Sequence, residues 1–217
     1  MISRSAVSLV VLVVALGTGS SATGGPPPVG ASVYVVRPDP RLCPSPLCGG
    51  YWVARANHAR TRCHDELLRP RCYVASAIDV DGLPLAADVP DGSLARADIR
   101  AGSHPGLGTL GVLIVADVRA PAGEGTKGRY YRVRDLGIRC VRAPCFSLRA
   151  ARLNRSLRTL VSSLDLISTV RPSAKQLAQA EAALATPSGL WLLGRITATN
   201  DGGRMLVASR YYLGSTS

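Results

Sequence analysis

Hydrophobic residues in this chain come in short runs bounded by Pro, Gly and Asp, and most runs have the length and β-branched content of strands. Val33 to Arg37 is one such run, stopped by Pro38 and Pro40. Gly50 to Arg55, Cys72 to Asp79, Arg129 to Arg134 and Leu157 to Leu166 are others. Leu110 to Val118 (LGVLIVADV) is the most apolar segment beyond the N-terminal region and reads as a buried strand. Leu190 to Thr199 and Met205 to Leu213 predict a hairpin, with Asn200 to Gly203 supplying the turn.

Two segments read as helix. Ala174 to Ala185 follows Ser173, whose hydroxyl is placed to cap the backbone N–H of Gln176 in an S-x-x-Q box. Leu177, Ala180 and Leu184 then recur at helical spacing, and Pro187 and Gly189 end the element. Ser93 to Ala101 reads as a second, shorter helix on its alanine content. The sum is an α+β fold, mainly antiparallel sheet with one helix per half.

The N-terminus has a different pattern. Arg4 is the only charge before an apolar run from Ala6 to Leu16, and small polar residues follow to Gly24. That order describes a secretory signal peptide, with cleavage expected near Ala22. The run is shorter than the ~20 residues a bilayer span requires. No later run is long enough, so no transmembrane span is expected in the mature chain. The predicted organisation is a leader at 1–22, a Gly/Pro linker at 23–31, and two α+β units at 32–126 and 127–217. The location is secreted, periplasmic or at the cell envelope.

The two units are inferred from an internal echo. Tyr34, Val36, Arg37, Cys43, Cys48, Ala54, Arg55 and Asn57 recur without a gap as Tyr131, Val133, Arg134, Cys140, Cys145, Ala151, Arg152 and Asn154. A second echo links Gly108 with Gly189, each leading to an Arg-Tyr-Tyr triplet (Arg129 to Tyr131 and Arg210 to Tyr212). The six cysteines are Cys43, Cys48, Cys63, Cys72, Cys140 and Cys145, an even number that suits disulfides in an exported chain. Like-built units predict bonds 43–48, 63–72 and 140–145. A bond from Cys43 or Cys48 to Cys140 or Cys145 is the open alternative.

Charge adds one global feature. Lys plus Arg number 26 against 14 Asp plus Glu, a formal net charge of +12. Only Lys127 and Lys175 are lysines; the rest are arginines. Arg37, Arg55, Arg132, Arg134 and Arg152 are the candidate anion-binding residues, for an anionic polymer or an extracellular protein as partner. Aromatic residues make up 5% of the chain, which disfavours a base-stacking nucleic-acid platform.

Other chemistry is weaker. Gly106, Gly108 and Gly111 spell G-x-G-x-x-G, but an apolar strand follows where a dinucleotide site needs a helix. His58, Cys63, His64 and Cys72 match no zinc spacing, and an oxidising compartment favours the disulfide. Asp79, Asp81 and Gly82 make half a calcium loop without the closing Glu. No metal or cofactor is expected. His58 or His64 with Asp65 or Glu66 is a conceivable acid/base pair, and neither G-x-S-x-G nor H-E-x-x-H occurs.

The segments YVVRPDPRLC (Tyr34 to Cys43), PLCGGY (Pro46 to Tyr51) and GIRCVRAPC (Gly137 to Cys145) resemble a family of secreted bacterial proteins, domain of unknown function 6748. The resemblance runs from about Val33 to Leu213 and implies an exported bacterial protein, with no activity or site residue to carry over. The reading is a disulfide-stabilised, non-enzymatic binding module with a basic surface. A protease inhibitor presenting a Cys-closed loop near Arg41 or Arg139 is one alternative. An extracellular hydrolase is another.

Overall fold

A computed structural model describes residues 30–85 and 88–214. The leader at 1–22 and most of the linker at 23–31 lie outside the described residues. The first half contributes β1 (Ser32–Pro38), β2 (Tyr51–Arg55), β3 (Thr61–Arg62), β4 (Leu68–Arg69), β5 (Cys72–Val74), β6 (Ser76–Asp79), β7 (Ser93–His104) and β8 (Gly108–Ala122). The second contributes β9 (Arg129–Asp135), β10 (Leu148–Arg152), β11 (Arg158–Val161), β12 (Ser163–Asp165), α1 (Ala174–Leu184), β13 (Leu190–Ala198) and β14 (Arg204–Gly214).

Twelve strands form one sheet, in the order β11-β10-β9-β13-β14-β8-β7-β1-β2-β5, with β12 beside β14 and β6 beside β8. Strands β3 and β4 form a separate small pair. Among the described residues only β6–β8 and β12–β14 pair in parallel; the other ladders are antiparallel. The fold is α+β, mainly β, with a single helix among the described residues.

The pairings of the two halves can be set side by side. Strand β1 lies between β2 and β7, and β9 lies between β10 and β13. Tyr51 faces Val74, and Leu148 faces Val161. Ser76 faces Val112, and Ser163 faces Met205. Each long hairpin carries a register shift, at Arg96/Ala97 in one and Leu193/Gly194 in the other. The halves join where β8 meets β14, from Tyr211 opposite Ala122 to Gly214 opposite Arg119.

Three expectations are corrected. Ser93 to Ala101 is not helix but the first part of β7. Ala95, Ala97 and Ile99 face one apolar core while Arg96 and Arg100 lie exposed, a period of two that overrides alanine's helical preference. The first half accordingly has no helix among its described residues; Leu85 and Val89 pack on its core. The Gly108/Gly189 echo does not mark like places. Gly108 opens β8, whereas Gly189 precedes β13, and the two Arg-Tyr-Tyr triplets fall in β9 and β14. In addition, the strands at Cys72–Asp79 and Leu157–Leu166 each split. Ala75 and Ser162 leave one neighbour and donate to Gly111 and Arg204 of another.

The helix forms where its capping box places it. Gln176 N–H donates to Ser173 Oγ at 3.3 Å, and Ser173 N–H donates to Gln176 Oε1 at 2.9 Å. Ala180 is buried, and Leu177 and Leu184 pack on the core beneath β13 and β14. One apolar core sits in each half, and a third lies between them, built from Val33, Ala56 and Leu94 against Leu153, Trp191 and Tyr212.

Two asparagines lock that middle core. Asn57 and Asn154 follow β2 and β10 in the left-handed region, at φ 63° and 57°, which Asn tolerates better than most residues. The Asn57 carboxamide accepts from Tyr130 N–H at 2.9 Å and donates to the Tyr130 and Leu153 carbonyls at 2.7 and 2.9 Å. Asn154 accepts from Val33 N–H at 2.8 Å and donates to the Val33 and Ala56 carbonyls at 2.7 and 2.9 Å. Each side chain thus acts as a backbone unit for the other half. Asn154→Ala should lower stability by about 2–4 kcal/mol, because it strands the part-buried Val33 N–H and Ala56 carbonyl. Asn154→Asp should also destabilise, since a carboxylate cannot donate to two carbonyls. Urea unfolding at neutral pH reads both.

Candidate functional site

The locks place arginines. Arg55 ends β2 and Arg152 ends β10, each two residues before its asparagine. Both line a cleft of about 490 Å³ where the halves meet. Arg96 from β7, Arg119 from β8 and Arg132 from β9 join them, with Arg155 and Arg158 from the turn after β10 and the start of β11. Asp117 is the one carboxylate in the lining.

Two of the seven guanidiniums are engaged. Arg119 is only 8% exposed; it donates to Asp117 at 3.0 Å and to the Gly189 carbonyl at 2.9 Å. Its guanidinium carbon sits 4.3 Å from the centre of the Trp191 ring, a cation–π stack. Arg155 donates to the Asn57 carbonyl at 3.1 Å. Arg55, Arg96, Arg132, Arg152 and Arg158 have no carboxylate partner among the described residues. The Nε atoms of Arg55 and Arg152 and the indole Nε1 of Trp191, itself 4% exposed, are buried without a protein acceptor among the described residues.

The electrostatic consequence falls on Arg132. Burial first, then the like charges of Arg134, Arg158, Arg119 and Arg96, push its guanidinium below the ordinary range. Gly189 helps to bring these groups together. It sits at φ 67°, and a side chain there would meet the Val133 carbonyl at 2.6 Å and the Arg134 and Arg132 stems at 2.8 and 3.1 Å. The arrangement can do one thing well: hold an anion between arginine forks.

Of the five arginines chosen from sequence, Arg55, Arg132 and Arg152 line the cleft. Arg37 lies outside it and pairs with Asp91 at 3.5 Å. Arg134 does not line it but contributes to its field through Arg132. Those five leave out Arg96, Arg119, Arg155 and Arg158, which also line the cleft. The alternation Arg96-Ala97-Asp98-Ile99 was the available sign for Arg96, hidden by the helical reading of that segment.

None of the other candidates lines the cleft. Cys43–Cys48, Cys63–Cys72 and Cys140–Cys145 are bonded, and no cysteine is free. Gly106 and Gly108 form the β7–β8 turn and open a strand, not a helix. Asp79 Oδ1 accepts from the N–H groups of Asp81 and Leu83, closing a turn. Asp65 and Glu66 pair with Arg69 and Arg62, each at 2.7 Å, while His58 Nε2 lies 3.0 Å from the Asn154 carbonyl. No group of three His, Cys, Asp or Glu suited to a metal occurs among the described residues. No helix among them is long and apolar enough to cross a membrane.

The first Cys-closed loop is tied to the sheet by Arg41. Its guanidinium grips the buried Asp39 carboxylate at 2.8–3.0 Å and donates to the Leu47 carbonyl at 3.0 Å. Trp52 Nε1 donates to Asp39 at 3.1 Å, and Tyr73 hydroxyl donates to the Pro46 carbonyl at 2.7 Å. Arg139 in the second loop pairs with Asp135 at 3.3 Å, in an exposed setting.

The family described as a domain of unknown function (6748) matches residues 32–217, and the chain belongs to that family. No curated protein and no solved structure matches the chain.

The Asp39 clamp has a pH dependence with a defined sign. The Arg41 hydrogen bond holds the Asp39 carboxyl below the ordinary carboxylate range. The clamp's contribution is therefore present above the unfolded value of about 4 and is lost as pH falls through the lower folded value. Asp39→Asn should melt at a lower temperature than the parent at pH 7. The gap should narrow as melts are repeated towards pH 3.

Proposed function

We propose that this member of the family is an exported, non-enzymatic binding module whose arginine cleft takes an anionic ligand. The observation that carries the reading is the cleft itself: seven arginines and a single carboxylate around about 490 Å³. Groups of one sign held in a concave, low-dielectric lining focus their field on what enters. Export is supported by three disulfides, which persist in oxidising compartments. We also propose that 32–126 and 127–217 descend from one duplicated unit, supported by the matched registers and register shifts of the two halves. On that reading the ligand site lies between the two copies, where neither alone completes it.

The inhibitor alternative has less support. Arg41 spends its donors on Asp39 and Leu47 within its own loop, which describes a clasp. The hydrolase alternative has no bonded histidine–carboxylate pair among the described residues, since Asp65 and Glu66 pair with Arg69 and Arg62.

Retention on an immobilised polyanion such as dextran sulfate tests the proposal. Binding should weaken steeply between low and physiological salt. Arg152→Ala should weaken it about tenfold, a loss typical of one charge-assisted hydrogen-bonding partner. Arg195→Ala, on β13 and outside the cleft, should change it little. Equal losses from both variants would mean that overall charge, not the cleft, does the binding.

A further inference from the structure

We infer, building on the anion-cleft reading above, that the ligand carries two or more adjoining phosphate groups that bridge the two halves of the cleft. The first argument is charge. Arg119 and Arg155 are engaged within the protein, which leaves Arg55, Arg96, Arg132, Arg152 and Arg158 without a carboxylate partner among the described residues. A carboxylate brings one charge and two acceptor oxygens, so a carboxylate ligand would have to crowd several groups into this space. A phosphate brings up to about two charges and three acceptor oxygens in a similar footprint. Adjoining phosphates therefore neutralise this number of guanidiniums in about 490 Å³ with the fewest groups.

The second argument is donor type. The cationic lining is arginine only; Lys127 and Lys175 lie elsewhere. Planar forks match tetrahedral oxyanions through paired N–H donors, whereas lysine offers a point charge. The third is unfilled donor capacity. Trp191 Nε1 and the Nε atoms of Arg55 and Arg152 are buried without protein acceptors among the described residues, and all three residues line the cleft. Arg55 comes from the first half and Arg152 from the second, so a ligand meeting both spans the junction. The like charges around Arg132 mark a place where added negative charge relieves repulsion.

Calorimetric titration of the intact, oxidised protein tests this at constant ionic strength. The probes are inorganic tripolyphosphate, orthophosphate, citrate and hexaglutamate. Tripolyphosphate should bind at least about tenfold more tightly than each of the others, because only it sets adjoining phosphates against several forks. Arg132→Lys keeps the charge but loses the fork; it should cost about tenfold in tripolyphosphate affinity while the melting temperature stays unchanged. Unaltered tripolyphosphate affinity in Arg132→Lys would overturn the assignment. Citrate or hexaglutamate binding as tightly as tripolyphosphate would remove the phosphate inference and leave the anion cleft standing. No binding by any probe would remove both.

Discussion

Two side-chain amides crossing between the halves set the geometry on which everything else here rests. Asn57 and Asn154 each satisfy backbone groups at the start of the opposite half's first strand and at the end of its second. A hydrophobic contact such as Leu94 near Trp191 could slide by part of a side chain. A carboxamide with three directed partners cannot, since each lost bond leaves a polar group unpaired. The bonds therefore fix the register of the two halves, and the middle core fills the space that this register defines.

The cleft follows from the same constraint. Arg55 and Arg152 precede the locking asparagines by two residues, so their positions are set by the locks. Arg119 is held by Asp117, the Gly189 carbonyl and the Trp191 face, and Gly189 in turn leaves room for the Arg132 and Arg134 stems. Burying these like charges together opposes folding, and the depressed Arg132 guanidinium expresses first that burial and then the repulsion of its neighbours. Such an arrangement is a common signature of a functional site, because it is stable only when local structure over-determines it. Here the β8–β14 junction and the asparagine bonds do so.

Much of the fold was legible because local rules and tertiary context agreed. The capping box at Ser173 and the stripe Leu177-Ala180-Leu184 identified α1, and β-branched runs identified β1, β9 and the β13–β14 hairpin. The segment Ser93 to Ala101 was misread because alanine favours helix in isolation, while its long pairing with β8 belongs to the tertiary fold. The breaks at Ala75 and Ser162 were invisible for the same reason: each residue changes partner strand without a Pro or Gly to announce it. The Asn57/Asn154 match was visible as aligned residues, yet its role depends on contacts with Tyr130 and Val33 that no local pattern encodes. The cleft was half legible. The arginines chosen included Arg55, Arg132 and Arg152, but also Arg37, which faces away towards Asp91, and left out Arg96, Arg119, Arg155 and Arg158.

Amide hydrogen exchange under native conditions tests most directly whether the asparagine bonds bind the halves into one unit. The reporters are Val33 N–H, held by Asn154, and Tyr130 N–H, held by Asn57. Both should exchange only as slowly as the amides of the fully buried Val36 and Val133, through global unfolding. Fast exchange at Val33 and Tyr130 while Val36 and Val133 stay protected would contradict the account. It would show that the halves part locally and that the cleft between them is not a fixed site.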